Sequence, residues 1–218
     1  MSSLRGGDAV RRAAGRLRET LTRPGLGPAM AAYFDPAEGF AGTTFSTLGD
    51  NPPDRLTAAD LLAVSLLDIS WRPDVVRRLL GSDQDRFAGL LAGIRTDVDL
   101  WQASDADLAT VDLLWDALLD IPGVGTASAA KLLARKRPRL CPITDKVVIA
   151  AAGLPGLTWE VLRCLLRDPG ARAEIEALRP PAAAGASLLR ILDVAIWVVH
   201  SNSRAAQRAR LVGRDRAA

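Results

Sequence analysis

The short segment Pro122-Gly123-Val124-Gly125 constrains the fold of this chain more than any other part of it. Before it, Val111, Leu114 and Leu118 recur three or four residues apart, which is the apolar spacing of a helix with one buried face. After it, residues 126–136 form a second helix-favouring run. Proline cannot continue a helical hydrogen-bond ladder, and glycine adopts backbone conformations that a Cβ atom would block. The sequence therefore predicts two helices that meet at a sharp corner.

The rest of the chain has the same helical character. Hydrophobic residues make up 49% of the 218 residues and aromatic residues only 5%, so aliphatic side chains must fill most of the core. Alanine and leucine, which are abundant here, are strong helix formers. No stretch alternates between apolar and polar residues as a half-buried strand would. We predict an all-α fold, with helices at 57–69, 73–80, 87–94, 104–121, 126–136, 146–152, 158–167, 171–178 and 187–200.

Glycine and proline suggest where the chain is irregular. They occupy ten positions within residues 22–53, which predicts a largely irregular stretch. We expect residues 1–21 to form a basic N-terminal arm or helix and residues 22–202 to form a single helical domain, with the hairpin at 115–136. Residues 203–218 are rich in arginine and are expected to form a C-terminal tail that frays.

The glycine-rich corner is suited to binding a phosphate group. Gly123 and Gly125 remove side chains from the turn, so the backbone N–H groups at the start of the second helix are accessible to an anion. This is the arrangement of a helix-hairpin-helix nucleic-acid-binding motif, with further cations following in the second helix. We therefore expect duplex DNA as the partner. The predicted contacts are Pro122, Gly123, Val124, Gly125, Thr126 and Lys131, with Arg135 and Lys136 beyond them. The alternative is an ordinary αα-hairpin with a glycine-rich corner.

Composition adds little to the functional prediction. The net charge of +3 permits binding to a phosphate backbone but is weak evidence for it. The chain shows no signal-peptide pattern and no apolar run long enough to span a bilayer, so we expect a cytoplasmic protein without a membrane partner. Cys141 and Cys164 match no metal-ligand spacing, and we expect neither a metal nor a cofactor.

The stretch from the hairpin onward resembles the helix-hairpin-helix DNA glycosylases of the endonuclease III type. In that superfamily an extended segment ending in aspartate follows the hairpin by about twenty residues. Here the segment Cys141-Pro142-Ile143-Thr144-Asp145 follows, and Asp145 lies 20 residues after Gly125. The resemblance touches residues from about 56 to 202, but only 115–150 is specific. It implies a DNA glycosylase-like fold and gives Asp145 the position of the catalytic aspartate.

The resemblance also implies a reaction, the hydrolysis of the N-glycosidic bond of a base flipped out of the duplex. The Asp145 carboxylate would stabilise positive charge on the sugar and orient or deprotonate a water. Trp71 and Trp197 are candidates for stacking on the base, Asp68 for reading an exocyclic amine and Lys146 for a phosphate contact. The simpler alternatives are that Asp145 caps a helix, that Asp68 closes one and that Lys146 is solvated.

Three departures from the superfamily limit this interpretation. Bifunctional members have a nucleophilic lysine two residues after the second hairpin glycine, where this chain has Ala127, so lyase activity is not expected. Lys146-Val147 follows Asp145 in place of the usual Thr-His or Val-His pair, and no cluster of four cysteines could hold an iron–sulfur cluster. The chain is thus identified as a divergent branch. Three hypotheses stay open: a monofunctional DNA glycosylase, a non-catalytic DNA-binding protein and a helical protein-interaction scaffold.

Overall fold

The computed structural model describes the backbone of residues 2–217 and the side chains of residues 7–217. Met1 and Ala218, which belong to the predicted arm and tail, lie outside the described residues. Within 2–217 the chain forms twelve α-helices and no strand, which confirms the all-α prediction. The helices are α1 (Ser2–Arg18), α2 (Leu26–Phe34), α3 (Ala58–Ser65), α4 (Pro73–Arg77), α5 (Gln84–Ala92), α6 (Asp105–Leu119), α7 (Thr126–Lys136), α8 (Lys146–Ala152), α9 (Thr158–Arg167), α10 (Pro169–Ala177), α11 (Leu188–His200) and α12 (Arg204–Ala217).

The helices group into two compact units. One unit, which we call the hairpin unit, comprises Ala41–Ile143 and contains α3 to α7. The other, the terminal unit, comprises Met1–Phe40 together with Thr144–Ala218 and contains the remaining helices. The domain predicted over residues 22–202 therefore draws on both units. No helix among the described residues is both long and apolar enough to cross a membrane.

Helix starts in the hairpin unit follow from local sequence. Thr57 and Asp60 form a reciprocal capping box at the start of α3, and Ser104 and Asp107 form another at the start of α6. Helices α6 and α7 pack together on either side of the hairpin, and α3 packs against α7. These contacts fix the hairpin within a small helical core.

Three consecutive basic residues at the end of α7 lie inside this core. Arg135, Lys136 and Arg137 are at most 4% exposed. The buried carboxylate of Asp60 pairs with two of them, since Oδ1 lies 3.2 Å from Arg135 Nε and Oδ2 lies 2.9 Å from Lys136 Nζ. A buried charge is tolerated only when it is paired and fully hydrogen-bonded, and here one aspartate serves two cations.

The same cations also fix the irregular segment that precedes α3. Arg135 Nη1 donates to the carbonyl of Phe45, Lys136 Nζ to that of Pro52 and Arg137 Nη1 to that of Pro53, at 2.6–2.7 Å. Backbone carbonyls of a segment without regular structure need such partners when they are buried. The end of α7 therefore holds this glycine- and proline-rich segment in place.

The terminal unit corrects two of the sequence predictions. Residues 26–34, within the stretch predicted to be irregular, form α2. Gly25 precedes this helix with a positive φ of 79°, and Pro28 lies in its first turn, where the missing N–H group has no helical partner in any case. Residues 204–217, predicted to fray, form α12. Residues 2–18 form a helix, which is one of the two alternatives predicted for the N-terminal segment.

Helix α12 is held by close contact with α2. Ala206 and Ala209 are fully buried, and Gly213 lies so near the backbone of α2 that a Cβ atom on it would come within 2.6 Å of the Ala29 nitrogen. Arg208 and Arg216 on the same helix form ion pairs with Glu38. Small residues on one face explain why an arginine-rich segment packs as a helix instead of fraying.

Candidate nucleic-acid interface

The conformation of the hairpin turn requires glycine at position 123. Gly123 has a φ of 101°, in the left-handed region that favours glycine, and a Cβ atom there would lie 2.8 Å from Arg72 Cδ. The Val124 N–H donates to the Ile121 carbonyl at 2.9 Å, which closes the turn. Ile121 and Val124 are buried, so the turn is anchored by its apolar residues.

The polar side of the turn is open. Pro122, Gly123, Gly125 and Thr126 are exposed. Gly125 is the residue before α7, and no described side chain caps the start of that helix. A Cβ atom on Gly125 would meet nothing within 4 Å. The first turn of α7 therefore presents backbone N–H groups and the positive end of the helix dipole to the outside.

A second predicted element lies beside the hairpin. The segment 66–72, which carries Asp68 and Trp71, is attached to α7 because Lys131 Nζ donates to the Leu67 carbonyl at 2.6 Å. At its other end, Arg72 packs against Gly123. The hairpin unit thus brings together the turn and the segment that holds two of the three base-pocket candidates.

Two residues in this region have structural roles that the sequence analysis did not assign to them. Lys131 is only 7% exposed and its ammonium is bonded to Leu67, so it holds the fold together instead of reaching an outside phosphate. Trp71 is half-buried and its indole N–H donates to the Leu61 carbonyl at 2.8 Å. Asp68 is exposed and has a φ of 62°, a conformation that aspartate tolerates better than most residues, just after the end of α3.

Arg72 is the basic residue that sequence reasoning missed at the turn. It is exposed, and it forms two hydrogen bonds with Asp74, at 2.8 and 3.0 Å. Its side chain contacts Gly123, which is distant in the sequence, so only the tertiary fold reveals this proximity. No sequence signal identifies it beyond its place immediately before the proline that starts α4.

The charge around the turn is acidic overall. The hairpin unit has 11 Lys and Arg residues against 14 Asp residues, a net charge of −3. Helix α6, which leads into the turn, carries Asp112 and Asp116 on its exposed face, and Asp120 follows it. The buried cations at the end of α7, Arg135 and Lys136, cannot offset this at the surface. Arg135 and Lys136, which follow the motif in the sequence, are thus buried and do not add positive charge beside the turn.

Asp145 lies in the terminal unit, where it caps α8. Its Oδ1 atom accepts hydrogen bonds from the backbone N–H groups of Val147 and Val148, at 2.9 and 3.1 Å. The residue is half-buried, and its Oδ2 atom forms no hydrogen bond or ion pair with a described residue. The capping role is thus confirmed, and one carboxylate oxygen remains available.

The other two candidates in the terminal unit lie on α8 itself and on α11, which packs against it. Lys146, the first residue of α8, is exposed. Trp197 lies on α11, which packs against α8, and it is half-buried with its ring centroid 5.5 Å from that of Tyr33 in an edge-on contact. Among the described residues no group of three or more histidine, cysteine or acidic side chains could hold a metal ion.

Comparison with protein families places the chain in a family of unknown function, DUF6308. The match covers residues 27–200, which is most of the sequence, and the chain therefore belongs to this family. The matched range includes all of the hairpin unit and ends before α12. Neither the comparison with curated proteins nor the comparison with solved structures gives a match.

Proposed function

We propose that the protein binds the sugar–phosphate backbone of duplex DNA through the hairpin turn. The observation that carries this proposal is the open start of α7, where exposed Gly125 precedes the helix and no described side chain caps it. Backbone N–H groups at such a helix start, with the dipole behind them, bind phosphate oxygens. Arg72, beside Gly123, adds one exposed cation.

The acidic surroundings restrict this contact to a small area. With Arg72 as the cation at the turn and with Lys131, Arg135 and Lys136 buried, the turn would neutralise about one or two phosphates. Binding would then weaken only roughly 3- to 12-fold between 50 and 200 mM salt, because the salt dependence follows the number of neutralised phosphates. A broad basic DNA-binding surface would show a much steeper dependence.

Substitution of Gly125 tests the turn directly, because a side chain there fits the fold. Its φ of −94° is ordinary, and the space in front of it is open. We expect Gly125→Gln to weaken binding of a labelled duplex several-fold through bulk. Gly125→Glu should weaken it by more than about tenfold, because its charge repels the phosphate. Fluorescence anisotropy at low salt measures both affinities.

Gly89 provides the matched control for charge. It is exposed on α5 of the same unit, and a Cβ atom there also meets nothing within 4 Å. Gly89→Glu makes the same change in net charge, and we expect binding close to that of the wild type. Equal losses at the two positions would contradict a contact through the turn. A wild-type protein that binds neither duplex nor single-stranded DNA would favour the protein-interaction scaffold.

A second candidate function is hydrolysis of an N-glycosidic bond, with Asp145 as the catalytic carboxylate. The observation that favours it is the asymmetric use of the carboxylate, in which Oδ1 caps α8 and Oδ2 has no described partner. A carboxylate oxygen free of internal bonds is the group that an oxocarbenium-like sugar requires. Ala127 remains in the place of the lyase lysine, so the proposed reaction is monofunctional.

Asp145→Asn separates catalysis from capping, because asparagine caps helices as well as aspartate does. In the assay, duplexes carrying a panel of damaged bases are incubated with the protein and then treated with alkali, which breaks the strand where a base has been removed. We expect the rate of strand breakage to be at least about a hundredfold lower for the variant than for the wild type. Asp168→Asn is the control, since Asp168 caps α10 in the same way, with Oδ1 accepting from Gly170. Breakage that survives in Asp145→Asn would remove this residue from the mechanism.

A further inference from the structure

The terminal unit contains an open pocket with a basic lining. Its volume is about 390 Å³, and it is bordered by the start of α2, the end of α11 and part of α12. Four basic side chains line it: Arg23, His200, Arg210 and Arg214. None of the described residues that line the pocket carries a carboxylate.

The arginines of this pocket have no acidic partners. Arg23 and Arg214 form no ion pair or side-chain hydrogen bond with any described residue, whereas Arg18, for example, pairs with Asp168 and Glu174. Positive charges placed together without a counter-charge repel one another. An anion within the pocket would relieve that repulsion.

Arg210 is held in position by the end of α11. Its Nη1 atom donates to the carbonyls of Val198 and Ser201, the second at 3.1 Å. These bonds fix one nitrogen of the guanidinium at the pocket wall and leave the other donors of this planar group for a ligand. The pocket therefore has one cation fixed by the fold and two cations with no internal partner.

His200 and the start of α2 complete the lining. His200 Nε2 lies 2.9 Å from Thr20 Oγ1, and partial burial together with the charge of Arg23 holds the pKa of His200 below its usual value. Leu26, the first residue of α2, borders the pocket, and Gly25 before it provides no side-chain cap. Thr20 and Arg23 thus act on the imidazole, and Arg210 and Arg214 line the same pocket, so none of these groups is acidic.

We propose that this pocket binds a small molecule through a phosphate monoester group. Three guanidinium groups and an imidazole offer several donors to one tetrahedral oxyanion, and guanidinium geometry matches phosphate oxygens. The volume lies at the lower end of the range for small-ligand pockets, so the ligand is compact. This site is independent of the hairpin and of the DNA binding proposed above.

Calorimetric titration with inorganic phosphate tests the pocket. We expect saturable binding by the wild type and a loss of at least about tenfold in affinity for the double variant Arg23→Gln/Arg214→Gln. The charge-matched control is Arg12→Gln/Arg204→Gln, which changes two exposed arginines of the same unit that do not line the pocket. Equal losses in both double variants, or no saturable binding by the wild type, would overturn the proposal.

His200 gives a second readout because it is the only histidine in the chain. Its imidazole signals can be followed by NMR against pH, with sulfate as a probe whose charge is constant across the titration. Sulfate should raise the pKa of His200 in the wild type and leave it unchanged in Arg23→Gln/Arg214→Gln. A pKa that responds to sulfate equally in both proteins would contradict binding in the pocket.

Displacement experiments identify the source of the phosphate group. A nucleoside 5′-monophosphate should displace bound inorganic phosphate, and a short duplex with 5′-hydroxyl ends should not. Displacement by the duplex would overturn the assignment to a small phosphate monoester. None of these experiments involves Gly125. A negative result for the pocket would therefore not contradict the proposed hairpin contact, and a negative result for the hairpin contact would not contradict the pocket.

Discussion

The two units of the molecule differ in net charge and in where several of their basic residues lie. The hairpin unit has a net charge of −3 and keeps Lys131, Arg135, Lys136 and Arg137 buried. The terminal unit has 17 Lys and Arg residues against 11 acidic ones, a net charge of +6, and three of its arginines line an open pocket. The overall charge of +3 conceals this difference.

The comparison shows that net charge alone is a poor guide to an anion site. The unit with the nucleic-acid-like motif is acidic, and its proposed contact depends on backbone N–H groups and one arginine. The unit without such a motif places three of its arginines around an open pocket. What decides the function of a basic residue is whether the fold surrounds it with acceptors or leaves it open to solvent.

The largest effect should come from breaking the buried charge network of the hairpin unit. Asp60→Asn leaves Arg135 and Lys136 without their counter-charge inside the core, and we expect the free energy of unfolding to fall by about 3–5 kcal/mol. Urea denaturation followed by circular dichroism measures the loss. Asp54→Asn is the control, because Asp54 is half exposed and its pair with Arg137 should contribute about 1 kcal/mol or less. Similar losses in both variants would contradict a special role for Asp60.

A smaller effect is expected where the terminal unit depends on close packing instead of charge. In Gly213→Ala the added methyl group meets the backbone of Ala29, which cannot rotate away, and we expect a loss of about 1–3 kcal/mol in stability. Gly185→Ala in the same unit meets nothing within 4 Å and should change stability by less than about 0.5 kcal/mol. A Gly213→Ala protein as stable as the wild type would show that α12 packs more loosely than the structure indicates.

The smallest effect concerns His200 and the dependence of stability on pH. Folding lowers the pKa of His200, so the unfolded state takes up a proton at a higher pH than the folded state does. The free energy of unfolding should therefore be at its full value above pH about 6.5 and should decline as the pH falls below that value. In phosphate-free buffer, His200→Gln should remove a small part of the stability loss between pH 7.5 and 5.5. If the variant loses as much stability as the wild type over that interval, the decline belongs to other groups.

Local sequence signals predicted much of the helical architecture. These signals involve only neighbouring residues, and the structure contains the helix that each one predicts. They are the capping pairs Thr57–Asp60 and Ser104–Asp107, the apolar spacing before Pro122 and the aspartate before α8. Helices α2 and α12 were missed for opposite reasons. Helix α2 is short and flanked by glycine and proline, and α12 is rich in exposed arginine, so neither has a strong local helix signal. The two helices pack against each other, and this contact stabilises both.

The candidate site was predicted less completely, because side-chain function depends on distant neighbours. The run Arg135-Lys136-Arg137 has the sequence of an exposed basic patch, and only the carbonyls of Phe45, Pro52 and Pro53 bring it inside. Arg72 likewise lies beside the turn only because the fold brings it next to Gly123, which is distant in the sequence. The pocket lined by Arg23, His200 and Arg214 joins three parts of the chain that no local pattern connects.

By itself, the sequence determined the all-α fold and the shape of the hairpin, since helix propensity, capping and the φ of a glycine are properties of a few neighbouring residues. The capping role of Asp145 is also a local property, because it involves only the two residues that follow Lys146. The tertiary structure alone decided which cations are buried, which are open and how the chain divides into two units. Burial and electrostatic pairing arise between residues far apart in the sequence, and only the folded chain brings them together.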